Sequence, residues 1–451
     1  YLYVLLAPLL FWSSASTAEC NFNTAEYKDE LQDPEYIKSI DIKVRKSKKW
    51  AKNGMMILTD PNPSMPISAE NKRKFKSDVI VNYKFGTCSY IGKVRQNGDG
   101  KDHIRLLRGA IISSLDVTLK TGNILSATSF KLLIPVTRGG DNEIFGALVL
   151  SQLGFIAPLT FNVKVNVNGT EQTYIFQENA KKELIERHHR REGPILEGDE
   201  ELLWTYKGYS PFLLEPVALS RLTNRKWAKK GASSLEISLR AFISLQREYL
   251  RHANSDKGMG IYMDPNSDKE DSQFSRYNLL VLGMAGEHGL RPHNRKYYFN
   301  IFTNKFEPIY FDGNLSFGND HPYQLDDNSH IWDVIHDMSN AQSQELINDL
   351  NQLGDKNDFI TLYAHYTNTS KKNAKIAVER KIEQILKRLY FLLESRTQHE
   401  FKQRVTLSSS AIEEKFLLNL KRLSLRQATY KITSQEDSST FQLSCIDKEN
   451  C

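Results

Sequence analysis

Residues 284–318 read MAGEHGLRPHNRKYYFNIFTNKFEPIYFDGNLSFG. Arg295 to Phe302 is aromatic-rich and strand-like, Thr303-Asn304-Lys305 is turn-like, and Phe306 to Phe311 is a second apolar run, so the pattern predicts a β-hairpin. The hairpin sets Asn294 just before its first strand and Asp312 just after its second. In phosphoryl-transfer sites an Asn and an acidic residue hold the divalent ions that bridge the phosphates. Asn294 and Asp312 are therefore the candidate metal ligands.

LRPHN (Leu290 to Asn294) resembles the LKPEN end of a protein-kinase catalytic loop, and FDGN (Phe311 to Asn314) falls where the metal-binding turn follows. More specifically, HGLRPHNRKYYFN followed by FEPIYFDG resembles the CotH family of atypical secreted protein kinases. IRLLRGAIISS (Ile104 to Ser114) and SFKLLIP (Ser129 to Pro135) are similar to that family's early Arg-Gly-x-Ser segment and Lys-bearing strand, with the serines two residues late. LSQLGFIAPLTFNVKVNVNGTEQTYIFQEN (Leu150 to Asn179) is similar to its helix, its Leu-Gly-x-x-x-Pro turn and its Glu-ending hairpin. The match covers roughly residues 100–320, with the pieces in order.

The resemblance implies an α+β, protein-kinase-like two-lobe architecture, with a sheet-rich N-lobe, a helical C-lobe and an extra N-terminal region. It implies ATP and Mg²⁺ or Mn²⁺ as cofactors and protein hydroxyls as acceptors. Lys131 is the candidate phosphate lysine, with Arg108 and Glu178 as further nucleotide contacts and Arg291 and Arg295 flanking Asn294. By kinase-loop spacing the catalytic Asp falls at Gly289, which cannot accept a proton. Glu287 and His288, immediately upstream, are the candidate displaced bases. Glu287 is preferred because a carboxylate keeps the charge of the site, whereas His288 would add a pH dependence near its ordinary pKa of about 6.5. If neither serves, the chain is an inactive pseudokinase acting as an envelope binding or assembly protein.

Other chemistries have thinner support. His288 and His293 are five apart with Pro292 between them, a poor match to a helical HExxH, so a metal hydrolase built on His288, His293 and Asp312 is the weaker enzyme reading. Walker A, GxGxxG and GxSxG motifs are absent from the sequence.

The 451 residues carry a net charge of +6, with 40% hydrophobic and 25% charged side chains, a globular composition. Basic residues concentrate at Lys43 to Lys52, Lys72 to Lys76 and Glu186 to Arg191. They lack the interleaved aromatics of a nucleic-acid module and read as solvated faces, so no nucleic-acid partner is expected. YLYVLLAPLLFW followed by SSASTA reads as the apolar core and small-x-small site of an export signal over residues 1–18, too short to span a bilayer. The expected location is secreted or periplasmic, with no transmembrane segment in the mature chain and a protein substrate or envelope partner. Four cysteines, Cys20, Cys88, Cys445 and Cys451, fit an oxidising compartment, and three pairings are open.

The chain divides into residues 19–100 of unassigned role, a sheet-rich nucleotide lobe at 101–205, a helical lobe at 206–432 and a cysteine-bearing tail at 433–451. Phe161 to Asn168, Asn168-Gly169 and Thr173 to Phe176 read as a hairpin with a type I′ turn. Leu235 to Arg251 and Ala377 to Ser395 have helical spacing, and Asn254 to Gln273 is a polar loop.

Overall fold

The structure is a computed structural model that describes residues 18–60, 67–98, 100–107, 109–199, 219–253, 264–266, 273–319, 323, 325, 331–336, 339–398, 430–434 and 441–445. Residues 1–17, on which the expected export signal falls, Arg108, most of the 254–273 loop and Cys451 lie outside that set, as does the side chain of Cys445.

The strands are β1 (Glu19–Cys20), β2 (Ile37–Val44), β3 (Phe75–Tyr83), β4 (Gly86–Gln96), β5 (Ile104–Leu107), β6 (Ala110–Ser113), β7 (Leu115–Leu119), β8 (Ser129–Leu133), β9 (Thr160–Val167), β10 (Thr170–Glu178), β11 (Ile195–Asp199), β12 (Leu219–Leu222), β13 (Lys296–Asn300) and β14 (Lys305–Ile309), before a C-terminal hairpin, Tyr430–Ser434 with Phe441–Cys445. The helices used below are α1 (Ser47–Leu58), α2 (Asp141–Gln152), α3 (Ala232–Ala253), α4 (Phe274–Gly283), α5 (Glu287–Leu290), α6 (Asn357–Thr367) and α7 (Lys371–Gln398).

The expected two-lobe, kinase-like architecture is not what the chain builds. Strands pair in the order β4-β3-β2-β9-β10-β8-β7, and β7 returns to pair with β4, closing a seven-stranded barrel. Residues 37–96, expected to be an extra N-terminal region, supply three of those strands. β2 lies parallel beside β9 (Ile40 opposite Val165) and β7 antiparallel to β4 (Asp116 opposite Arg95). These two long-range pairings turn an open sheet into a barrel, which leaves no free edge among the seven strands. The α+β class holds; the kinase architecture does not.

Alternation along each strand fills the barrel. Ile40, Ile42, Val79, Val81, Phe130, Leu132, Val163, Val165, Tyr174 and Phe176 form one buried core. The intervening residues face outward, as the period-2 pleat requires. β1 attaches to β4, where Cys20 and Cys88 are opposite each other and form a disulfide. It spans 68 residues, a loop length for which a crosslink stabilises by roughly 2–4 kcal/mol.

On one outer side of the barrel lies a second core, to which α2, α4, α6 and α7 contribute. α2 is buried from Glu143 to Leu150, so it is apolar nearly all round rather than striped. A four-stranded sheet, β12-β11-β13-β14, packs beside it, and Tyr297, Phe299 and Phe306 form a third cluster with α3. The β13–β14 hairpin turns at Asn304, whose φ of 54° is left-handed. Tyr310 N–H donates to Ile156 O at 2.8 Å, tying the hairpin's exit to the segment before β9. Among the described residues no helix is long and apolar enough to cross a membrane.

Candidate functional site

Cross-strand register builds one wall of the site. Arg95 on β4 is opposite Asp116 on β7, Asp116 is opposite Lys131 on β8, and Lys131 is opposite Gln177 on β10. These four form a polar row on the barrel's outer face, because their neighbours Val94, Val117, Phe130 and Phe176 point into the barrel core. Lys131 is therefore on a strand paired on both sides, not on a sheet edge. Arg95 Nε donates to Asp116 Oδ2 at 2.8 Å, and Asn179 Nδ2 to Asp116 Oδ1 at 3.3 Å. Lys131 makes no ion pair among the described residues. Burial presses its pKa down to about 8, with Arg138 and Lys296 adding repulsion.

The opposite wall is the segment leaving β14. Phe311 lies 4.5 Å from Lys131 Nζ and 4.2 Å from Lys296 Nζ, both measured to the ring centroid, so two ammonium groups share one aromatic side chain. Asp312 follows with φ of 50°, and Asn314 with φ of 49°. Non-glycine residues in this region carry strain that the surrounding fold must hold, and such residues cluster at functional sites. Arg138, from the turn before α2, places Nη1 2.6 Å from Asp312 Oδ1. Arg138 Nε and Asp312 Oδ1 are buried without a well-formed hydrogen bond. Behind them, Glu143 accepts from Gln177 Nε2 (2.9 Å) and Tyr310 OH (2.8 Å), and burial raises its pKa against the pull of Arg138.

α5 completes the cluster. Asn294 Nδ2 donates to His288 O and lies 3.0 Å from His288 Nε2, and that nitrogen lies 3.8 Å from Asp312 Oδ2. Asn294 and Asp312, one hairpin apart in sequence, thus meet at the same imidazole. Burial lowers the pKa of His288 in spite of Asp312, with Arg291 and Arg138 contributing. Glu287 has no hydrogen bond or ion pair to any of these groups among the described residues. Gly289 is packed tightly: a Cβ there would meet Phe311 O at 3.0 Å, Gly313 Cα at 3.1 Å and Asp312 O at 3.4 Å.

Other expected site residues have different surroundings. Glu178 is ion-paired with Arg187 (Oε2 to Nε, 3.0 Å), which occupies it as a contact for Lys131. Arg295 is buried, and its Nε donates to Leu290 O at 2.7 Å, bracing the loop from inside. Arg291 is exposed. His288, His293 and Asp312 do not form a metal cluster, since no group of three or more His, Cys, Asp or Glu able to hold a metal occurs among the described residues. Arg138, Lys296, Asp116 and Phe311 were missed by the sequence reading. The Arg138-Gly139-Gly140 run before an apolar helix was a local signal for the first of them.

No family model and no curated protein matches the chain. The resemblance to CotH kinases rests on the motifs themselves.

Between the polar row and Phe311 lies a cavity of about 610 Å³, within the range usual for small-molecule sites; Asp312, Asn294, His288 and Arg138 lie beyond Phe311 and do not line it. Its acidic residues are already engaged. Asp116 pairs with Arg95, Glu178 with Arg187, Glu192 with Lys230, and Glu197 with Lys296 and Arg221, while Glu183 accepts from Thr128 OH. Lys131, Lys181, Arg225 and Lys226 line the same cavity without an ion pair among the described residues. The arrangement suits a polyanion.

Four histidines, buried or half-buried, make the stability of the fold depend on pH. His103, His188, His288 and His293 all have pKa values lowered by burial, His293 to about 4. The unfolded chain binds protons on these rings near pH 6.5, where the folded chain does not, so their contribution to stability is full above about 6.5 and is lost as pH falls through the folded values. Urea midpoints should decline steadily from pH 7 towards pH 4. A midpoint rising over that range would contradict the burial of these rings.

Proposed function

We propose that the cavity binds a nucleoside triphosphate with a divalent cation and that the chain transfers the terminal phosphoryl group to a protein hydroxyl, the activity of the CotH kinases it resembles. The observation that carries this is the charge balance of the cavity: four of its five acids are ion-paired, while four of its cations make no ion pair among the described residues. Lys131 and Lys296 would meet the phosphates beside Phe311, and the motif order along the chain agrees with that assignment. The kinase architecture forms no part of the proposal.

Asp312 and Asn294 fit a magnesium-type ion as a partial shell. One carboxylate and one amide, with the remaining ligands drawn from phosphates and water, is a usual pattern for magnesium, and Asp312 Oδ1, buried and held by Arg138 without a well-formed hydrogen bond, is the oxygen that would meet the ion. When bound, such an ion neutralises charge on the phosphates. Arg138 would have to yield part of its hold on Asp312.

The proton acceptor would be His288 rather than Glu287, because His288 touches both Asn294 and Asp312. Its lowered pKa keeps the ring neutral at pH 7, and Asn294 donating to Nε2 marks that nitrogen as the unprotonated one. In the transfer the acceptor oxygen bonds to the γ-phosphorus as the β–γ bridging bond breaks. ADP departs with the electron pair, and the hydroxyl proton passes to His288 Nε2, which Asn294 must first release; Asn294 Nδ2 keeps its bond to His288 O.

A second reading, nucleotide binding without turnover, is favoured by the closed packing at Gly289. Transfer from labelled ATP to a surrogate protein separates the two. His288→Gln should lose about 10²-fold or more of the rate and Glu287→Gln little, the usual scale for a general base. The reverse ranking would assign the base to Glu287. A parent that binds ATP and never transfers phosphate would leave the binding reading standing. We also place the protein in an oxidising, extracytoplasmic compartment, on the support of the Cys20–Cys88 disulfide.

A further inference from the structure

At one end of the barrel α1 follows β2 and packs against it. Trp50 points into the barrel core and meets Phe75 edge-to-face, with centroids 5.3 Å apart. Asn53 and Gly54 are buried on the same side, and a Cβ on Gly54 would lie 2.9 Å from Ile111 Cγ2, so the helix rests on the β5–β6 hairpin. The outer face of α1 is of another character. Lys48, Lys49 and Lys52 are exposed and lead into Met55 and Met56, 47% and 46% exposed.

The helix contains no acidic residue, and none of its three lysines makes an ion pair among the described residues. Adjoining residues extend the field: Lys46 before the helix and Lys74 and Lys76 on and before β3 are also exposed. Arg45 is matched by Asp78, and Glu70 is the acid on the neighbouring turn.

We propose that this end of the barrel docks on an anionic lipid surface, with α1 lying in the interface. The lysines would meet lipid headgroups and the two methionines would enter the boundary below them, the arrangement of interfacial amphipathic helices. A nucleic acid is a poorer partner. Trp50, the one aromatic residue on the helix, is turned into the core and offers no base a platform, and exposed methionines gain nothing from phosphates.

Flotation of the full chain tests this with phosphatidylcholine vesicles, alone and with about a third phosphatidylserine, a composition that sets up a negative surface potential. The parent should partition to the anionic vesicles alone. Lys48→Ser/Lys49→Ser/Lys52→Ser should weaken partitioning on the order of a hundredfold, since each basic side chain near such a surface is worth about fivefold or more. Met55→Ser/Met56→Ser should weaken it several-fold, and both variants should melt like the parent because the altered side chains face solvent. Equal partitioning to both vesicles, partitioning to neither, or a triple variant that binds like the parent would overturn the proposal. So would a chain that ignores vesicles and binds duplex DNA.

Discussion

Lys131→Met weakens the binding of magnesium-ATP by between about tenfold and a hundredfold, the scale expected for losing a hydrogen bond to a charged group. Without nucleotide the same variant is at least as stable as the parent. The two effects have opposite signs for one reason. Lys131 lies in the cavity wall with its pKa pressed down to about 8 and no ion pair among the described residues, so its charge costs free energy until an anion arrives. Calorimetric titration with ATP, set beside urea melts of the unliganded proteins, checks both halves. A variant that binds ATP like the parent removes Lys131 from the site. A variant that unfolds shows that the lysine serves the barrel instead.

Gly289→Asp, which restores the acid of a kinase-type loop, is expected to destabilise the protein by roughly 1–3 kcal/mol through overpacking, and by more where the new carboxylate is trapped without a partner. It should bring no gain in phosphoryl transfer. A Cβ at position 289 already presses on the backbone of Phe311, Asp312 and Gly313, the segment whose strained turn sets Asp312 in place. Gly289→Ala should show a smaller loss of the same sign. Urea midpoints of the two variants and a transfer assay decide it. Unchanged stability with faster transfer in Gly289→Asp would mean that the loop has room for an aspartate and that Gly289 replaced a catalytic one.

Local pattern made several elements legible. Asn168-Gly169 joins β9 to β10 with both residues at positive φ, the run from Arg295 to Phe311 contains β13 and β14, and the two amphipathic spacings became α3 and α7. The positions of Asn294 and Asp312 just outside the hairpin strands and of Lys131 within a strand were likewise readable, although their roles are proposals. Barrel closure was not. It depends on β2 lying parallel to β9, with Asn168 Oδ1 accepting from Val44 N–H across 124 residues, and no local periodicity records such a partner. The same limit explains Glu178. Its place at a strand end was readable, but its pairing with Arg187 depends on how the next segment folds back. Arg138 shows the converse: a residue from a different turn reaches Asp312, a contact that spacing within the 284–318 stretch gave no means of seeing.

The most direct measurement of the central claim is a crystal structure of the full chain with magnesium and a non-hydrolysable ATP analogue. The expected result is a triphosphate lying between Lys131 and Lys296, with its far end towards Asp312 and Asn294 and Arg138 displaced from its present contact with Asp312. An analogue bound elsewhere, or a cavity unchanged at saturating nucleotide with the Arg138–Asp312 pair intact, would contradict it.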